Sequence, residues 1–219
     1  MLLMSLLVFL LFSVPPASQA QVALYPTEFE RVDVIAIERD GRDLFAFDSV
    51  TGRRSSIRLE LGEEIVFEAS RGRIGLVLTD RRALGVAPGV AWKSLRYRLQ
   101  EGAPETGLVD DRIALVLTSR RVLGFVGRGT WVEENFSPHE SAKAVRAGVA
   151  VGVVVTNRRA LGLSVDRDRF VAIDLQIKET LESVNARDTL VTVRTNRRIL
   201  AFSAPNGTWT EQKRKINSR

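Results

Sequence analysis

A short phrase returns along this chain with a period of about 39 residues, and it constrains the fold more than any other feature. It reads LVLTDRRALG over residues 76–85, LVLTSRRVLG over 115–124 and VVVTNRRALG over 153–162. A fourth copy over 191–200 reads VTVRTNRRIL, and a blurred copy spans 34–47 with Arg42 and Leu44 in register. Repeats of this size are stacked supersecondary units, none of which can bury its apolar face alone.

Inside each unit, runs of β-branched and aliphatic residues alternate with turn chemistry. Residues 74–79 read as a strand, Asp80-Arg81 as a two-residue turn, and 82–87 as the returning strand. Asp and Asn suit that turn because they tolerate the left-handed conformations of tight hairpins. Pro88-Gly89 turns the chain again before a third run over 91–99, and Gly127-Arg128-Gly129 and Asn206-Gly207 are the corresponding turns. A further strand precedes each core, over 65–69, 106–109, 142–147 and 181–186. The third run opens on an aromatic residue at constant register, namely Trp92, Trp131, Phe170 and Trp209, with Arg53 in that place in the first unit.

Four antiparallel strands per unit and five units predict an all-β chain: a five-bladed β-propeller of four-stranded blades, one per repeat of about 39 residues. Its single domain would cover residues 21–219, with the first blade degenerate. Radial stacking covers both faces of each blade, and the nearly continuous apolar runs at 113–117 and 149–155 fit that burial. A trefoil would need three such repeats. An open solenoid would need end repeats with polar outer faces, and the last repeat shows no obvious cap, so closure is the expectation. In repeat number, repeat length and recurring Trp, the chain resembles the small five-bladed β-propellers. That class includes tachylectin-type sugar binders and, in larger versions, arabinan- and fructan-cleaving glycosidases. The resemblance is one of architecture, and function does not transfer through it.

Residues 1–14 are almost wholly apolar, followed by Pro15-Pro16 and the small-residue stretch Ala17-Ser18-Gln19-Ala20. This pattern predicts a signal peptide over 1–20, although no Lys or Arg precedes the apolar run. The run is too short to span a bilayer comfortably. The expected product is exported, periplasmic or secreted, without a stable membrane span after cleavage; an uncleaved N-terminal anchor is the alternative. The chain holds no cysteine, so an exported form must be stabilised by packed apolar surface and hydrogen-bonded sheet rather than by disulfides.

The formal net charge is +6, and only five of the 32 basic residues are lysines. A basic surface favours anionic partners, although a GC-rich genome would enrich arginine equally. The Arg-Arg doublets are the main functional candidates. Arg81, Arg120, Arg158 and Arg197 would form a ring on one end of the blades, beside Arg82, Arg121, Arg159, Arg198 and Arg42. Guanidinium forks bind carboxylates and phosphates bidentately, which points to an anionic ligand or protein partner in the cell envelope. Against that stands an internal use: one Arg of each doublet paired with Glu63, Glu64, Glu105, Glu140 or Glu179 in the connections between blades.

Trp92, Trp131 and Trp209 offer sugar-stacking platforms, a lectin-like alternative, but their constant register fits packing anchors better. The single histidine, His139, cannot complete a usual zinc site and reads as an exposed loop residue. Asp40, Asp80, Asp110, Asp111, Asp166 and Asp168 sit in turns for backbone reasons. A glycosidase needs two uniquely placed carboxylates, which near-uniform repeats do not supply. The basic tail over 213–219 reads as a solvated terminus, and export disfavours nucleic acid. The expected molecule is a non-catalytic binding or scaffold module with no cofactor and no metal; a purely structural subunit with a neutralised ring is the last alternative.

Overall fold

A computed structural model describes residues 32–214; the expected signal peptide and the basic tail after Arg214 lie outside the described residues. Every regular element described is a strand, and no helix among the described residues is long and apolar enough to cross a membrane. The first sheet holds β1 (Ile35–Asp40), β2 (Asp43–Asp48) and β3 (Arg53–Arg58). The second holds β4 (Ile65–Arg71), β5 (Ile74–Thr79), β6 (Arg82–Ala87) and β7 (Val90–Arg96). The third contains β8 (Thr106–Asp110), β9 (Ile113–Leu117), β10 (Arg121–Val126) and β11 (Thr130–Asn135). The fourth contains β12 (Ala142–Ala147), β13 (Val151–Thr156), β14 (Arg159–Ser164) and β15 (Val171–Asp174). The fifth ends the series with β16 (Leu181–Arg187), β17 (Leu190–Thr195), β18 (Arg198–Ser203) and β19 (Thr208–Lys213).

Each sheet is an antiparallel meander in chain order, which is a propeller-like repeat fold. The first blade departs from the expected four strands: among the described residues it has three. The third runs end sooner than the apolar pattern suggests, β7 stopping at Arg96, because the chain there turns into the connection to the next sheet.

Why the sheets stack is visible in one repeated glycine. Gly85, Gly124 and Gly162 occupy the same register, and on each lies a large side chain of the following sheet: Phe125, Leu163 and Phe202 respectively. A Cβ on Gly85 would stand 2.7 Å from the Phe125 ring, and one on Gly162 would stand 2.6 Å from the Phe202 ring. Bare backbone is thus required for sheets to approach this closely. Of the strands that carry these contacts, β6 and β10 are buried along their whole length and β14 along all but Arg159, while β18 is buried at alternate residues.

The closed ring expected from five repeats is not what the described residues form. Each sheet packs on the next from first to fifth, but the strands of the first and fifth make no comparable contact. The physical reason is a change of chemistry at the two ends. Where the inner sheets have Leu76 and Leu78, or Leu115 and Leu117, the fifth has Thr192 and Arg194. Where they have Val77 or Val116, the first has Glu38. Accordingly β17 alternates between buried and exposed residues where β5, β9 and β13 do not. The outer face of the fifth sheet is therefore more polar than an inner joint, although Leu190 and Ile199 remain exposed on that sheet.

Candidate functional site

The hairpin turns and the connections between sheets meet at one end of the stack, and backbone chemistry places them there. In the second sheet, the Thr79 hydroxyl accepts the amides of Arg81 and Arg82 at 3.1 and 2.9 Å, which closes the turn. The Asp80 carboxylate accepts the Glu64 amide at 3.0 Å and so ties that turn to the incoming connection. Asn157 and Asn196 do the same for Ser141 and Thr180, at 2.9 and 3.0 Å. Gly62, His139 and Lys178 hold one left-handed position in these connections, with φ of 71°, 64° and 62°. His139 is thus a turn residue, its carbonyl accepting the Asn157 side-chain amide.

The second arginine of each doublet sits in a repeated ion pair, buried at Arg82, Arg121 and Arg198 and partly buried at Arg159. Arg82 donates through Nε and Nη2 to Glu63 at 2.8 and 2.9 Å, and also to the carbonyl of Arg58 at 3.0 Å. Thr79 donates to the same carboxylate at 2.8 Å, and Glu63 Oε2 accepts the Glu60 amide at 2.6 Å. Arg159 repeats the arrangement with Glu140 at 2.8 Å and the Asn135 carbonyl at 2.7 Å. Arg198 does so with Glu179 at 2.9 Å and the Asp174 carbonyl at 2.5 Å. Each of these carbonyls belongs to the last residue of the preceding sheet, so every such arginine staples one sheet to its predecessor.

In the third sheet the acid is Glu101. Arg121 Nη2 donates to it at 3.0 Å, and Nε lies 2.6 Å from Oε1 without hydrogen-bond alignment, a coulombic contact. Glu64 and Glu105, expected among the partners, do not take part: Glu64 contributes backbone only, and Glu105 is exposed. The connection before β8 is longer than the others, yet Glu101 stands 20 residues before Arg121, against 19 in the other three pairs.

Burial opposes ionisation of Glu63. Hydrogen bonds from Arg82, the Glu60 amide and Thr79 outweigh it and hold the carboxyl down from the usual 4.5 to about 2. The same opposition, won by Arg159 and Arg198, lowers Glu140 and Glu179. A carboxyl depressed in the fold stabilises it above its unfolded pKa and stops doing so as pH falls through the folded one. Acid titration followed by circular dichroism should therefore show stability held down to about pH 4.5 and lost steeply towards pH 2. A flat profile over that window would contradict the staples.

The first arginines differ. Arg81 is half-buried, donating to the Leu61 and Gly62 carbonyls at 3.2 and 3.0 Å, with Glu60 3.6 Å away. Arg120, Arg158 and Arg197 are exposed, and their side chains form no ion pair among the described residues. Beside them stands a feature the sequence reading missed. Two residues before each connection glutamate is an apolar residue turned to solvent: Leu61, Leu99 and Ile177 are 81%, 107% and 87% exposed, and Pro138 is exposed too. Leu99 tips the long connection between two hollows. One, of about 260 Å³, is lined by Asp80, Arg81, Arg96 and Tyr97; the other, of about 420 Å³, by Arg98, Glu101, Arg120 and Phe136.

The aromatic positions lie between sheets. Trp131 packs on Phe125 with centroids 4.9 Å apart and donates its indole N–H to the Lys93 carbonyl at 3.1 Å. Trp209 pairs with Phe202 at 5.1 Å and donates to Val171 at 2.8 Å. Trp92 and Phe170 are buried. Among the described residues, no group of His, Asp or Glu converges as metal ligands would.

No family model matches the chain, and no curated protein is similar to it in sequence. Similar solved structures are β-propeller proteins. Yeast RCC1 (Prp20), solved bound to Kap60, is 8% identical with a TM-score of 0.41, over 78% of this chain and 54% of that one. Kluyveromyces lactis Hsv2p is 10% identical with a TM-score of 0.40, over 86% and 63%. HIRA(644–1017) is 11% identical with a TM-score of 0.40, over 84% and 57%. The chain thus spans little more than half the length of the structures it matches.

Proposed function

We propose that this chain is a non-catalytic, exported protein-binding module whose partner presents acidic and apolar side chains to the turn-bearing end of the stack. The observation that carries the reading is the juxtaposition at that end of exposed Arg120, Arg158 and Arg197 with exposed Leu61, Leu99, Pro138 and Ile177. Single exposed leucines need no explanation, but the same exposure at four equivalent positions costs solvation in every connection between sheets. Arginine beside apolar side chains is the composition of interface centres, where the guanidinium meets a carboxylate and the aliphatic group supplies burial. The buried second arginines leave their fold-side duty only at the cost of the staples, so the partner meets the first arginine of each doublet. In this reading the five sheets are the blades of a five-bladed, propeller-type scaffold, and the apolar leader directs it to the cell envelope.

Charge reversal at Arg120, Arg158 and Arg197 together should weaken partner capture about tenfold or more while leaving the thermal midpoint unchanged. Leu99→Ser with Ile177→Ser should weaken it without altering its salt dependence. Equal recovery of the same envelope proteins by the native and charge-reversed chains, in quantitative pull-downs, would refute the reading.

A further inference from the structure

The rule that joins the inner sheets leaves one half of a joint at each end of the stack. Phe125, Leu163 and Phe202 each lie on the glycine of the sheet before. The repeat places Val86 at that register in the second sheet and Phe47 in the first, where among the described residues no sheet precedes and Phe47 is 44% exposed. At the other end the glycine register is held by Ala201 of β18, as it is by Ala46 of β2 in the cluster with Val86, and among the described residues no sheet follows it.

A second pair of registers points the same way. Inside the stack, Leu78 and Val116 share one apolar cluster, and Leu117 with Val154, and Val155 with Val193, share another. At the two ends these registers hold Arg194 on the fifth sheet, paired with Glu182 of its own sheet at 2.9 Å, and Glu38 on the first, both exposed and of opposite charge. Two solvent caps would have no reason to be complementary. Leu190 and Ile199 add apolar surface at 47% and 38% exposure on the fifth sheet, and Phe45, under the Arg54 guanidinium at 5.3 Å, adds it on the first.

We propose that the outer face of the first sheet docks on the outer face of the fifth sheet of a second copy of this chain, head to tail, with Phe47 over Ala201 and Glu38 against Arg194. The contact is heterologous, since two different faces meet. It generates a closed ring of copies if the rotation closes and a filament if it does not. The surface is separate from the turn-bearing end, so it stands whatever that end binds.

The absence of cysteine makes the test direct. Phe47→Cys and Ala201→Cys are prepared as separate full-length chains, one carrying a size tag, and mixed under mild oxidation. The expected product is a disulfide between the two variants, with little from either variant alone. Sedimentation of the native chain should show concentration-dependent association, weakened about tenfold or more by Phe47→Asp with the circular dichroism spectrum unchanged. Two results overturn the proposal. One is a disulfide that forms only within a single chain carrying both Phe47→Cys and Ala201→Cys, as a monomer, which would mean that the chain closes on itself. The other is no cross-link together with a strictly monomeric native chain.

Discussion

Replacing Glu63 by alanine is expected to lower the unfolding free energy by about 3–5 kcal/mol, read from urea titration. The glutamate side chain is fully buried, and it is the sole acid within ion-pairing distance of Arg82 among the described residues, whose own side chain is 10% exposed. Removing it leaves a guanidinium in the joint between the first and second sheets with carbonyl contacts and no counter-charge. It also strands the Glu60 amide, while the Thr79 hydroxyl keeps the Arg82 carbonyl at 3.0 Å. The equivalent changes at Glu140 and Glu179 should cost less. Arg159 and Arg198 each keep a second acid, Glu134 and Glu211, at the edge of the site. Replacing both Glu63 and Arg82 by apolar residues of similar volume should recover much of the loss, because the penalty belongs to the unpaired charge rather than to the absent pair. If the double variant is as unstable as Glu63→Ala, the staple account is wrong.

The second large effect comes from adding one carbon. Gly162→Ala puts a methyl group 2.6 Å from the Phe202 ring, whose own position is fixed by Trp209 at 5.1 Å. The cost should be about 1–3 kcal/mol, the range for overpacking a tight core. Trimming the opposing ring should couple to it: Phe202→Leu is destabilising alone but should be less so in the Gly162→Ala background, a non-additivity measurable in a double-mutant cycle. Strict additivity would mean that the sheets move apart freely, against the close approach described above. Ala201 is the informative contrast. It already carries the extra methyl, and among the described residues no sheet follows the fifth.

The strands were legible because each has a period and a boundary. The hairpin Ile74–Thr79 and Arg82–Ala87 follows directly from apolar runs broken by Asp80-Arg81, and Asn206-Gly207 marks its turn equally well. The arginine-glutamate pairing was legible in kind, because both residue types recur at near-constant separation. It failed in the third repeat, where the longer connection also carries Glu105, while Glu101 keeps close to the common separation, 20 residues before Arg121 against 19 elsewhere. Closure was misread for a different reason. Repeat number speaks to stacking, whereas a ring needs the two end faces to be as apolar as the inner ones, and Glu38, Thr192 and Arg194 show that they are not. The exposed row of Leu61, Leu99, Pro138 and Ile177 escaped notice because hydrophobic residues in a connection look like strand ends. Only their fixed offset from a buried glutamate sets them apart.

The staples also bear on how such a chain can change length. Each joins a sheet to the backbone of the sheet immediately before it, with no hub that counts the sheets. Excising one inner unit of about 39 residues, cut at the same register, would leave every remaining arginine with its own glutamate and a carbonyl to reach, and every remaining glycine with a side chain to seat. Duplication would do the same. Repeat number is then a quantity that evolution or an engineer can adjust without redesigning any single joint.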